Sequence, residues 1–162
     1  MSDPAEQSDD GAELAAEISE LVRKHDRTVA VAESLTSGNI ACRLGAAPAA
    51  SGWFAGGVTA YASAVKFEVL GVTPGPVITA TCAVQMADGV ARLTHADYAA
   101  AVTGVGGPDP EEGHPAGTVF AAVHTPTGTD FTEYHFDGPP ETVVESATRE
   151  ALRMLLKALR DN

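Results

Sequence analysis

A serine hydroxyl becomes a useful nucleophile only when a neighbouring group takes its proton. A lysine can serve once burial or nearby positive charge lowers its pKa. The stretch Ser51-Gly52-Trp53-Phe54-Ala55-Gly56-Gly57-Val58-Thr59-Ala60-Tyr61, followed by Lys66, holds the groups for such chemistry. Ser51 offers a hydroxyl, Lys66 an amine, and Tyr61 a phenol that could relay a proton or hold the amine. Burial among Trp53, Phe54 and Val58 would supply the desolvation that Lys66 needs. A loop serine, a half-buried tyrosine and a solvated helix lysine account for the same residues without any chemistry.

Three further clusters carry chemistry-bearing residues. In Glu33-Ser34-Leu35-Thr36-Ser37-Gly38, hydroxyls and free backbone N–H groups at a helix start suit an anion such as phosphate. Ordinary N-capping by Thr36 or Ser37 is the plainer alternative. In Thr103-Gly104-Val105-Gly106-Gly107-Pro108, glycines after an apolar run let the backbone approach a ligand, and their N–H groups can stabilise an oxyanion. A plain flexible loop fits equally well. The segment is neither a dinucleotide fingerprint nor a phosphate loop, since it lacks GxGxxG and GK[ST]. Glu111-Glu112-Gly113-His114-Pro115 sets two carboxylates beside a histidine but lacks metal-site spacing, and the other histidines are scattered. No metal and no cofactor are expected.

These clusters need a scaffold, and the hydrophobic pattern supplies one. Residues 11–25 read as an amphipathic helix through Leu14, Ile18, Leu21 and Val22, with Asp10 as a possible cap. Thr28–Ala32 and Tyr98–Val102 are short apolar runs of the kind that form buried strands. Val58–Tyr61 is a further candidate strand leading into a helix near Ser63–Leu70. A short helix passes through Ile40, Ala41 and Leu44, and Thr79 can cap another carrying Met86, Val90 and Leu93. Thr118–His124 and Phe131–Phe136 flank Pro126-Thr127-Gly128, a hairpin signal. A last helix runs from about Glu141 to Leu159, with Val144, Ala147, Ala151, Leu155 and Leu159 on one face. Helices alternating with apolar strands, plus one hairpin, predict an α/β fold: a single three-layer α/β/α domain with a mixed sheet, over residues 11–162. Residues 1–10 read as a disordered acidic tail.

The chain has 162 residues, 44% of them apolar, which is room for one domain with a real core. Its formal charge of −12, from 22 acidic against 10 basic residues, repels phosphate backbones and argues against nucleic-acid binding. One small phosphorylated ligand remains compatible with it. Cys42 and Cys82 form neither a disulfide framework nor a CxxC pair. With no secretory pattern and no apolar run of membrane-spanning length, a cytoplasmic protein without a membrane partner is expected.

Four pieces together resemble the CinA C-terminal domain family, which includes nicotinamide-nucleotide amidases. They are Ala32–Gly38, Phe54–Tyr61 with Lys66, Thr103–Pro108, and Gly117-Thr118-Val119. In register they span nearly the whole chain after residue 10. The larger N-terminal domain of some members has no counterpart, so a stand-alone form is expected. The resemblance implies a serine amidase that deamidates nicotinamide mononucleotide, with Ser51 as nucleophile, Lys66 as base and Tyr61 assisting, and not with Ser34 as nucleophile. It implies that Glu33, Ser34, Thr36, Gly38, Thr103, Gly104, Gly106 and Gly107 border the substrate. A homo-oligomer acting on a small nucleotide is expected. Two departures stand out. The family usually carries an arginine where this chain has Gly138-Pro139-Pro140-Glu141, and an acidic pair where it has Ala80 and Thr81. A catalytically silent nucleotide-binding relative, or a ligand-binding protein for a non-nucleotide small molecule, are the alternatives. Backbone N–H groups of the Glu33–Gly38 or Thr103–Gly107 turn are expected to hold the phosphate in the arginine's place.

Overall fold

The computed structural model describes residues 10–161, so the acidic tail lies outside them except for Asp10. That residue is the first of helix α1 (Asp10–Lys24), where its carboxylate approaches Arg153. The chain continues through β1 (Val29–Glu33), α2 (Asn39–Gly45), a 3₁₀ turn (Ala50–Gly52), β2 (Phe54–Thr59), α3 (Ser63–Leu70) and α4 (Ala80–Thr94). It ends with β3 (Tyr98–Gly104), β4 (Thr118–Thr125), β5 (Gly128–His135) and α5 (Pro140–Asp161).

The sheet has the order β2-β1-β3-β4-β5. β1 is parallel to both β2 and β3, whereas β3–β4 and β4–β5 are antiparallel. The expected mixed sheet is therefore present, and so are the three layers. Alternation along the strands divides the core. Val29, Val31, Val102 and Val119 face α1, α2 and α5, while Ala30, Ala32, Ala101 and Ala122 face α3 and α4. Alanines on the second face let α4 sit close to the sheet.

Several boundaries differ from the pattern-based reading. β2 covers Phe54–Thr59 rather than Val58–Tyr61. Gly56 and Gly57 hid its first half, because glycine carries no strand signal. Gly57 is needed there: a Cβ would lie 2.6 Å from both the Val31 carbonyl oxygen and a Val31 methyl. α4 has its Thr79 cap, whose hydroxyl accepts from the Cys82 N–H at 3.0 Å, but Leu93 is exposed rather than in the core. On α5 the buried valine is Val143, and Val144 is only half-buried.

This topology creates a crevice. From β1 the chain runs through α2 on one face to β2. From β2 it runs through α3 and α4 on the other face to β3. The loops leaving the C-terminal ends of β1 and β2 therefore diverge to opposite faces, the arrangement in which open α/β sheets hold ligands.

Candidate active site

Lys66 sits in α3 just past the end of β2 and is 2% exposed. Its Nζ lies 2.7 Å from the Ala60 carbonyl, 3.2 Å from the Tyr61 carbonyl and 3.0 Å from Ser34 Oγ. A protonated amine donates to all three. A neutral amine has two hydrogens for the two carbonyls and a lone pair left for the serine hydroxyl. Burial lowers the Lys66 pKa, against opposing influences from Cys82, Glu112 and Glu111. The Cys82 thiol is itself pushed up to about 11 by burial, so it stays neutral at pH 7.

The hydroxyl on the lysine is thus Ser34, and the expectation for Ser51 is corrected. Ser51 is exposed on the 3₁₀ turn before β2, whereas Lys66 follows the strand's other end. At roughly 3.3 Å per residue, β2 separates the two by on the order of 15–20 Å. Ser34 reaches Lys66 because β1 and β2 run parallel with Glu33 opposite Thr59, which sets the residues after both strands side by side. Tyr61 does stand at the site, but its main-chain carbonyl contacts the amine, and the residue is 68% exposed. Nor do Trp53 and Phe54 surround the lysine. Both pack on the α1–α5 face, with the Trp53 indole donating to the Pro48 carbonyl at 3.1 Å.

Glu33 has a different task from the one expected. It is buried, and its carboxylate accepts from Ile40 N at 2.9 Å, Ala41 N at 3.0 Å and Thr36 Oγ1 at 2.7 Å. A carboxylate from β1 therefore caps α2, where neither Thr36 nor Ser37 does. The Ile40 and Ala41 amides are therefore taken by Glu33 and are not open to an anion. Gly38 takes φ 96° as the residue before α2. Glu33, Thr36 and Gly38 build the joint behind the site and do not line its cavity.

The cavity holds about 140 Å³ and is lined by Ser34, Leu35, Tyr61, Lys66, Thr103, Gly104, Gly106 and Gly107, among others. It is smaller than a typical ligand pocket of ~300 Å³ or more, with room for a carboxamide-bearing ring rather than a whole nucleotide. The backbone N–H groups of Leu35, Gly106 and Gly107 take no partner among the described residues. Thr103 donates to the Val77 carbonyl at 2.7 Å and so ties the end of β3 to the loop before α4.

Sequence reasoning missed Glu111, Val77 and Ile78, which also line the cavity. Glu111 belongs to a segment weighed only as a metal site. Its neighbour Glu112 accepts from the backbone N–H groups of Val77 and Ile78 at 2.9–3.1 Å, pinning one loop to the other. Among the described residues, no group of three histidines, cysteines or carboxylates could hold a metal ion. No helix among them is long and apolar enough to cross a membrane.

Fold and site together define a three-layer α/β protein with a buried serine–lysine pair where its parallel strands diverge. The chain belongs to the CinA family: the model of the CinA C-terminal domain matches residues 11–159. It is 36% identical over 154 residues to a Bacillus pumilus protein named as competence-damage inducible. That match covers 92% of this chain and 37% of the relative. A similarly named protein of Desulforamulus reducens is 40% identical over 132 residues, covering 78% and 32%. The chain thus spans about a third of the length of the curated relatives it matches. Among solved structures, a competence-damaged protein (CinA) superfamily protein from Escherichia coli has a TM-score of 0.90 at 31% identity, covering 93% of this chain and 92% of that one. One from Klebsiella pneumoniae has a TM-score of 0.89 at 29% identity, covering 94% and 99%.

Proposed function

We propose that the protein is an amidohydrolase that converts nicotinamide mononucleotide to nicotinic acid mononucleotide and ammonia, with Ser34 as nucleophile and Lys66 as base. The observation that carries this reading is the buried Lys66 amine 3.0 Å from Ser34 Oγ. Ser34 Oγ attacks the carboxamide carbon as its proton passes to Lys66 Nζ. The C–N bond then breaks, Lys66 returns the proton to the departing ammonia, and an ester to Ser34 remains. Water adds to that ester with Lys66 again taking a proton, the bond from the acyl carbon to Ser34 Oγ breaks as Lys66 returns that proton to Oγ, and the acid leaves. The unpartnered N–H groups of Leu35, Gly106 and Gly107 are the donors available to the developing oxyanion. Leu35 directly follows the nucleophile, a position used in the same way by other serine hydrolases.

The small cavity supports entry of the carboxamide end first, with ribose and phosphate outside it. Family membership supports the nucleotide as substrate. The absence of an arginine in Gly138-Pro139-Pro140-Glu141 favours a second reading, a relative that binds nucleotide without turnover. Ammonia release from nicotinamide mononucleotide by the purified chain decides between them. Turnover that needs Ser34 supports the amidase. Saturable binding without ammonia supports the silent relative, and neither would leave a non-nucleotide ligand.

A further inference from the structure

We propose that Glu111 is a specificity-determining residue of this site, whose carboxylate selects carboxamides carried on a cationic ring. This rests on the amidase reading for the carboxamide, but the charge preference is carried by separate observations. Glu111 lines the same cavity as Ser34 and Lys66. Its side chain takes no hydrogen bond or ion pair among the described residues, unlike that of Glu112, which is spent on the Val77 and Ile78 amides.

The backbone at Glu111 is also held in place. Its backbone N–H donates to the His114 carbonyl at 3.1 Å, and the His114 N–H donates back to the Glu111 carbonyl at 2.8 Å. Glu112 staples the same loop to the residues before α4. The backbone that carries Glu111 is therefore braced, while the side chain itself is exposed where it lines the cavity. Among the described residues Lys66 is the only lysine or arginine lining the cavity, and as a neutral base it contributes no positive charge. With Lys66 neutral the cavity is net negative, and the Glu111 carboxylate has no hydrogen-bond or ion-pair partner among the described residues. A ligand bearing a fixed positive charge beside its carboxamide, such as a pyridinium alkylated at the ring nitrogen, satisfies that acid, and a neutral pyridine does not.

The test compares two small probes that carry the same carboxamide, 1-methylnicotinamide and nicotinamide, at one ionic strength. The wild-type protein should prefer the cation in kcat/KM. Glu111→Gln should shrink the cation-to-neutral ratio about three- to tenfold, the scale of a partly solvated charge pair. Glu111→Lys should reverse the preference. An unchanged ratio in both variants overturns the proposal, as does an equal loss on both probes, which would mean that Glu111 acts only through Lys66. If neither probe releases ammonia, equilibrium binding of the same two decides. A Glu111-dependent preference for the cation then upholds this inference while the amidase reading fails, and equal binding overturns it.

Discussion

Lys66 must exchange a proton with Ser34 while being nearly inaccessible to water, and its burial sets the pH at which it can do so. An exposed lysine titrates near ~10.4; desolvation lowers this one. Turnover should therefore rise with pH to an inflection below that of an ordinary lysine, measured as kcat/KM with a substrate that does not itself titrate. Lys66→Arg keeps the charge but cannot release its proton, so it should lose ~10⁴-fold or more in turnover. Substantial activity in that variant would make Lys66 a fixed charge rather than a base. The same shift links stability to pH. Between the lowered folded pKa and the unfolded value, the unfolded chain binds more protons, so stability rises with pH across that window. Relative to Lys66→Met, the wild type should gain unfolding free energy from neutral pH towards pH 10 in urea titrations, and a flat difference would contradict the shift. The lysine was legible in the sequence and its serine was not. Ser34 and Lys66 are 32 residues apart, and only the register of β1 with β2 joins them. A single sequence does not display which strands pair.

The elements that hold this pair depend on a few close approaches. Glu33 at the end of β1 caps α2 and so fixes the turn that presents Ser34. Glu33→Gln exchanges an acceptor-only carboxylate for a group that must turn an NH₂ towards backbone donors. It should cost about 1–3 kcal/mol in urea unfolding, with a drop in turnover, and an unaltered midpoint would mean that the cap is dispensable. Gly89 lets α4 lie against the end of α3: a Cβ there would sit 2.0 Å from the Leu70 carbonyl oxygen. Alanine inside a helix normally gains ~1 kcal/mol over glycine. Here Gly89→Ala should instead destabilise by about 2–3 kcal/mol, and a stabilised variant would contradict the tight crossing. Helices α1, α4 and α5 were legible because their apolar periodicity is long. β2 was cut short by its glycines. The Glu33 cap was invisible because its donors lie seven and eight residues on.

At the scale of the whole molecule, a charge of −12 surrounds a cavity whose lining, among the described residues, has one acid without an ion-pair partner and no arginine. Such a field slows the approach of an anion and speeds that of a cation, and salt screens both effects. Raising ionic strength should therefore increase kcat/KM for nicotinamide mononucleotide relative to nicotinamide riboside, and a falling ratio would point to a phosphate-binding group in the route. The three-layer fold was legible because strand and helix patterns alternate so regularly. The site was legible only in its pieces, since the crevice exists through strand order, which brings the ends of β1 and β3 together from residues 34 and 104. The central claim is that the nucleophile is the serine at the end of β1, and the direct test is the rate of ammonia release from nicotinamide mononucleotide by Ser34→Ala and Ser51→Ala measured side by side. Ser34→Ala should lose ~10⁴–10⁶-fold while remaining folded, and Ser51→Ala should stay within a few-fold of wild type. Retained turnover in Ser34→Ala with loss in Ser51→Ala would contradict the account.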